Sequence, residues 1–370
     1  MKNKLLLFSL IPLLAGCVPA QPIEEGNLIE LTDGQGRTVQ IDKTKRDRVI
    51  CIGAGALRYY SYIGDLSKIV AVEDFETTTK TYGFGGQVIR PYYHVNKTFF
   101  DTLPSCGRGG PAAQAPEKEK ILETNPDVIV SFYSAEVNNT LSEELNVPVI
   151  GLKQGPEGVF DTVTKNSFTI LGKAFSKESR ATELINYIDG VVTELSALPE
   201  SNDSYYVGCV GNWGKTSIYG TMLNNPTLKY AKVKDALKDL DLPGMGQVEI
   251  DQEKLLQINP DKIILDSMNL SGFINQYKEN KETLNALDAF KNKETYVQMP
   301  YNAYYTNLEV QLMTTYYVAS ISHEMSNFNI ATKSDEILTK FVGKACYNEL
   351  LEYSIAYGGY AKIDMDELSK

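Results

Sequence analysis

Groups that do covalent chemistry are sparse in this chain, and groups that grip a large ligand are plentiful. Its 370 residues hold two histidines, His94 and His323, against 23 tyrosines. Two imidazoles cannot build a three-histidine metal site. HExxH, GxSxG and paired Cys–His patterns do not occur, so no enzyme and no cofactor are expected. Besides Cys17, the cysteines Cys51, Cys106, Cys209 and Cys346 match no zinc spacing. Aromatic rings cluster instead. Arg90-Pro-Tyr92-Tyr93-His94 follows Gly83-Phe-Gly85-Gly86 and reads as a loop. Its rings and its cation suit an anionic, conjugated chelate, through stacking and charge-assisted hydrogen bonds. Tyr301-Asn302-Ala-Tyr304-Tyr305-Thr306-Asn307, after Pro300, offers a second wall. Trp213, the single tryptophan, follows a strand and suits a flat ligand. The expected ligand contacts are Arg90, Tyr92, Trp213, Tyr304, Tyr301 and Arg58. Packing between domains would use the same aromatic residues, and His94 or a tyrosine could instead ligate haem iron.

Two glycine-rich turns resemble nucleotide motifs and fail on the residues. In Gly53-Ala54-Gly55 the third glycine of a dinucleotide fingerprint would fall at Arg58. In Cys209-Val-Gly-Asn-Trp-Gly214-Lys215-Thr216 a cysteine replaces the first glycine of a P-loop. The first turn makes better sense as a loop at the carboxyl end of a strand, facing a crevice between two lobes.

The elements that must position these groups come in two sets. Glu119-Lys-Ile-Leu-Glu-Thr-Asn-Pro126-Asp127-Val-Ile-Val130 is echoed, 134 positions later, by Glu253-Lys-Leu-Leu-Gln-Ile-Asn-Pro260-Asp261-Lys-Ile-Ile264. Each copy reads as a short helix, a proline stop and a buried strand. Proline is expected to push the preceding asparagine into extended geometry. Strands are expected at 28–31, 38–41, 49–52, 69–72, 128–132 and 147–152, with helices at 56–63 and near 140–145. That alternation predicts α/β lobes with mainly parallel sheets. A long helix is expected from Ser176, as N-cap, to Pro199. Its apolar stripe runs through Ala181, Leu184, Ile185, Ile188, Val191, Val192 and Leu195. The division is 28–155 for the first lobe, 158–198 for the inter-lobe helical segment and 204–370 for the second lobe, with a helix near 308–320.

The first 17 residues set the compartment. Lys2 and Lys4 precede an apolar run from Leu5 to Leu14, then Ala15-Gly16-Cys17. This is the pattern of a lipoprotein signal, with Cys17 the lipidated first residue of a mature chain outside the cytoplasm. The apolar run is shorter than the about 20 residues a spanning helix needs. The formal charge of −11 argues against binding nucleic acid or an anionic membrane surface. An oxidising compartment also leaves a Cys106–Cys346 bridge open, although Cys51 and Cys209 lie in apolar, strand-like runs.

Taken together, the chain resembles the substrate-binding lipoproteins of ABC importers for iron–siderophore, haem and cobalamin. The resemblance rests on Leu31-Thr-Asp-Gly-Gln-Gly-Arg37-Thr-Val, Gly53-Ala-Gly-Ala-Leu-Arg58, both Asn-Pro-Asp motifs and Leu171-Gly-Lys-Ala-Phe-Ser-Lys-Glu-Ser-Arg180-Ala. It covers nearly all the mature chain. Lys45-Arg46-Asp47 departs from it where the family usually has proline. The resemblance implies two Rossmann-like lobes joined by a single long backbone helix, and binding without catalysis. It implies as partners an ABC permease with its ATPase subunits, a metal chelate and the membrane through a lipid anchor, for a chain acting as a monomer. Glu119 and Glu253 match the glutamates that dock on the permease; complementing a helix N-terminus would use the same positions. A ferric siderophore leads among ligands, with haem and cobalamin open. The alternative is a surface haem- or corrinoid-binding protein without a dedicated permease.

Overall fold

The computed structural model describes residues 25–80, 88–111, 113, 115–211, 217–240 and 246–370. An antiparallel hairpin opens it, β1 (Leu28–Thr32) with β2 (Thr38–Asp42), in register from Leu28↔Asp42 to Thr32↔Thr38. The Asp33 carboxylate organises its turn, accepting the Gln35 and Arg37 N–H groups, and also receives Gly151 N–H at 2.9 Å. One side chain thus shapes the turn and ties the hairpin to the first sheet.

Both lobes use the same strand order. In the first, β3 (Val49–Ile52), β4 (Ile69–Ala71), β5 (Val128–Ser131) and β6 (Val149–Gly151) lie in the order β4-β3-β5-β6, all parallel. In the second, β7 (Ser204–Gly208) is followed by a small antiparallel pair, β8 (Gly220–Met222) and β10 (Gln247–Glu249). Here β9 (Lys234–Asp235), β7, β11 (Lys262–Asp266) and β12 (Thr295–Gln298) repeat the parallel order, and β13 (Ala361–Lys362) adds an antiparallel edge. Strands β3, β5 and β6 are buried at every position, as sheets covered on both faces require.

The repeated Asn-Pro-Asp motif does the same work twice. Asp127 accepts the N–H groups of Asp47 and Arg48 at 3.0 Å each, at the start of β3. Asp261 accepts the Ser204 N–H and hydroxyl at 2.8 and 2.7 Å, at the start of β7. Each aspartate therefore locks the neighbouring central strand. Extended asparagines are not found: Asn125 and Asn259 have φ of +45° and +41°. The helix end dictates this. Asn259 is a left-handed C-cap whose N–H returns to Leu255 O, and asparagine tolerates that region better than other side-chain-bearing residues.

The inter-lobe segment holds two helices, Thr162–Phe175 and Glu178–Ser196. Ser176 is the left-handed C-cap of the first, at φ +53°, rather than the N-cap of the second. The 19-residue second helix is about 28 Å long and buries Ala181, Leu184, Ile188, Val191 and Leu195. After β12 the chain crosses the middle of the molecule as helix Leu308–Ser322, buried without interruption from Leu308 to Ala319. Its polar residues reach both ways. Glu309 accepts the Tyr62 hydroxyl, Gln311 accepts Val159 N–H at 2.8 Å, and Thr314 pairs with Tyr360 at 3.0 Å. One hydrophobic core runs from Ile29 in the first lobe through this helix to Tyr360. The lobes therefore share a packed interior, not merely a connecting rod. Among the described residues no helix is long and apolar enough to cross a membrane.

Candidate functional site

Parallel sheets open a crevice beyond the carboxyl ends of their strands, where the order reverses. In the first lobe that place is occupied by Gly53-Ala54-Gly55 after β3, Glu73 after β4, and Phe132-Tyr133 after β5. Past β4, Val72 pairs with Ser105, and Asp74 and Phe75 donate N–H to Gly107 and Arg108 carbonyls at 2.8 and 3.0 Å. The segment carrying Gly109 and Gly110 is thereby laid beside Glu73.

The second lobe sends one turn across. Residues 301–307 fold back on themselves, with Asn307 N–H on Tyr301 O at 2.7 Å and Ala303 N–H on Tyr305 O at 3.0 Å. Successive tyrosines hold left-handed backbone, Tyr304 at φ +50° and Tyr305 at φ +74°. Neighbouring bulky residues in that region are strained, and such strain persists only where surrounding contacts enforce it. The contacts are present. Tyr304 donates its hydroxyl to Glu73 Oε2 at 2.7 Å, receives Gly110 N–H at 3.0 Å, and lies 4.5 Å from the Phe75 ring. Asn307 accepts Arg58 Nε at 3.0 Å and donates to Ile89 O at 3.2 Å. Gln154 accepts the Tyr59 hydroxyl and donates to Thr306, both at 3.0 Å.

The exposed product of this turn is Tyr305. It keeps 43% of its surface in solvent and stands edge-on to Phe132, 5.5 Å between ring centres. A Cβ on Gly55, whose φ is +94°, would sit 3.3 Å from the Tyr305 ring, so the close approach of turn and ring favours glycine there.

Glu73 is the buried carboxylate that the turn reaches. Burial pushes its carboxyl up to about 7, against the pull of hydrogen bonds from Gly53 N–H and Tyr304. A second buried acid, Asp266 at the end of β11, is pushed up to about 6 for the same reason. Its partners are Met268 N–H at 2.9 Å and Gln298 Nε2 at 3.0 Å. Burial first, then Glu73, also raises the Tyr304 hydroxyl.

The residues singled out from the sequence fall in different places. Arg90 and Tyr92 do not sit in a loop: Arg90 is the N-cap of helix Pro91–Phe100, where proline at the first position starts the helix. Both are buried; Arg90 Nη1 pairs with Glu76 at 2.8 Å, and the Tyr92 hydroxyl donates to the same Glu76 oxygen. Arg58 is buried too, over the Tyr92 ring at 4.9 Å, with Nη2 on Ala303 O at 2.6 Å and Nη1 without a hydrogen-bond partner. Tyr301 is 4% exposed beneath the turn, its hydroxyl 3.6 Å from Met222 Sδ, and Tyr304 is 8% exposed. His94 lies between Tyr353 at 3.0 Å and Glu349 at 2.9 Å, both on the C-terminal segment. Trp213, Cys17 with the rest of the signal, and Gly83–Gly86 lie outside the described residues. Cys51, Cys106, Cys209 and Cys346 are free, buried thiols, so Cys106 and Cys346 are not bridged. Glu119 and Glu253 are both exposed in the first turns of equivalent helices. Among the described residues, no group of histidine, cysteine and carboxylates could hold a metal ion.

Sequence reasoning missed Glu73 and Tyr305. An acid directly after the apolar run Ile69–Val72 was the available signal for Glu73. Tyr305 was visible only as one member of a tyrosine cluster.

Comparison with known proteins adds a family and a fold. The family model described as periplasmic binding protein matches residues 92–301. No curated protein sequence matches the chain. A periplasmic solute binding protein from Veillonella parvula superposes with a TM-score of 0.64 at 17% identity, over 88% of this chain and 96% of that one. The molybdate periplasmic binding protein MolA of a Haemophilus influenzae ABC transporter gives 0.61 at 14% identity, over 85% and 98%. The periplasmic catecholate-siderophore binding protein VctP from Vibrio cholerae gives 0.53 at 20% identity, over 79% and 98%. At these identities the likeness is one of fold.

Proposed function

Given that this chain belongs to the periplasmic binding protein family, solute-binding proteins of ABC importers that work outside the cytoplasm, we propose that it captures a metal chelate, a ferric siderophore first, and delivers it to the permease. The observation that carries this reading is Tyr305. An exposed ring, on strained backbone anchored by a buried carboxylate and facing Phe132 and Gly55 across the crevice, is a prepared stacking surface. Tyr304 and Arg58 hold the turn from behind, Tyr301 lies beneath it, and Tyr92 and Arg90 stand one layer further back, under Arg58 and on Glu76. Preorganised in this way, the surface loses little conformational freedom on binding. Lipid attachment at Cys17 rests on the signal pattern of residues 1–17. Glu119 and Glu253 are the proposed docking residues, on the support of their equivalent, exposed positions.

A fluorescence titration of Trp213, in protein lacking residues 1–17, tests the cargo. The panel holds ferric siderophores, haem, cobalamin and free divalent ions. Saturable sub-micromolar quenching by a ferric siderophore is the expected outcome, with affinity falling about tenfold or more in Tyr305→Ala, the loss of one stacked ring. Saturation by haem or cobalamin alone would reassign the cargo. Silence across the panel would overturn the chelate reading.

A further inference from the structure

Glu73 ties its own segment to three others at a single carboxylate. Its Oε1 accepts Gly53 N–H at 3.0 Å, from the loop after β3. Its Oε2 accepts the Tyr304 hydroxyl at 2.7 Å, from the second lobe's turn. Gly110 N–H completes the Tyr304 hydroxyl at 3.0 Å. Gly109, at φ +62°, lies so close that a Cβ there would come within 2.7 Å of the Glu73 side chain. All this holds a turn whose two tyrosines sit in left-handed backbone and would relax if released.

We propose that Glu73 is the positioning residue of the Tyr304–Tyr305 turn, and that gaining a proton loosens it. Both donors at its carboxylate suit the ionised form. A neutral carboxyl accepts about half as strongly, and its own proton competes for the Tyr304 oxygen. The environment puts that change near neutrality. Burial pushes the Glu73 carboxyl up to about 7, outweighing the two donors, and Glu76 and Glu117 add repulsion. The other groups facing it are Asp74 on its own segment, Cys51 on β3, Cys106, Tyr133 after β5, and Tyr304. Glu76 is paired with Arg90, and Glu117 accepts Arg108 N–H at 2.6 Å. When the turn lifts, Glu73 stays under the Gly53 loop and the Gly109–Gly110 segment and loses one donor, so a proton favours the lifted turn although it favours the folded chain as a whole. In acid Tyr305 is then freed from its place over Gly55, and a ligand stacked there leaves sooner. That consequence rests on the crevice reading above. The test uses ligand-free protein, so the two proposals fail separately.

Hydrogen exchange of the peptide spanning Tyr301–Asn307, corrected for the intrinsic pH dependence, reads the turn directly. In the wild-type protein, protection falls about tenfold between pH 8.5 and 5.5, the worth of one charge-assisted hydrogen bond. Its midpoint lies at about 7. Glu73→Gln removes the titration, leaving protection flat across that range. Tyr304→Phe keeps the ring, loses the hydroxyl and shows low protection throughout. A wild-type profile independent of pH, or a Glu73→Gln profile that still titrates, would overturn the proposal. So would wild-type protection in Tyr304→Phe at pH 8.5. Exchange of the peptide from helix Glu178–Ser196 serves as the internal control, since it holds neither buried acid.

Discussion

The two lobes share a strand order and differ in what they place at its open end. Beyond β4 the first lobe sets a buried carboxylate, Glu73, and glycines at positive φ. The second supplies aromatic rings on a turn that leans across to that carboxylate. At the opposite edge the lobes are nearly the same, with Asp127 and Asp261 clamping β3 and β7. Backbone logic is thus kept where strands begin and diverges where they end. An edge that only folds can be repeated, whereas the edge proposed as the ligand site has to be complementary across the gap.

The comparison breaks most visibly at the outer rim, if the two lobes dock unequally. Charge reversal of Glu119 and Glu253 together is expected to abolish uptake in cells while leaving ligand affinity unchanged, and each single reversal to reduce uptake by a similar factor. Lost affinity in the double variant would remove both residues from docking.

A second test sets the buried acids of the lobes side by side. Glu73 and Asp266 are raised in the folded protein to about 7 and about 6, above their values in an unfolded chain. The native state therefore holds more protons between pH 4 and 7, so stability is greatest in mild acid and falls as pH rises through the folded values. Each group contributes on the order of 3 kcal/mol across that window. Urea unfolding of Glu73→Gln and Asp266→Asn at pH 5 and 8 checks it. Each substitution should shrink the loss between the two pH values, and an unchanged slope in either would clear that residue.

The smallest effect sharpens the likeness. Asp127→Ala and Asp261→Ala each remove two hydrogen bonds to a charged acceptor at a strand start. Partial exposure limits the cost to about 1–3 kcal/mol apiece. Near-equal shifts in denaturation midpoint would show that the clamps are interchangeable; a large inequality would mean that one lobe depends on its clamp and the other does not.

Much of the frame was legible in the chain. Helix Ala56–Ile63 and strand Val49–Ile52 lie where their patterns put them, and the doubled Asn-Pro-Asp marked two related lobes. Local chemistry sets such features: apolar period, proline's missing N–H, a glycine-bounded strand. The Arg90 segment was misread for the opposite reason. Proline after a glycine-rich stretch marks a turn and a helix start alike, and only the partner Glu76, 14 residues away, shows which holds. The Ser176 cap failed similarly, because serine also ends a helix when a second one packs directly behind it.

By itself, then, the sequence determined two α/β lobes, a helical link and a ligand-binding rather than catalytic inventory. Only the tertiary structure decided which tyrosine of the turn stays exposed. Tyr301, Tyr304 and Tyr305 are chemically alike and adjacent. Their exposures of 4%, 8% and 43% follow from a turn held by Glu73, Gly110, Arg58 and Ile89, all distant in the chain. Side-chain type is local information. Which side of a turn meets solvent depends on what packs against the other side, and that is settled only when the lobes come together.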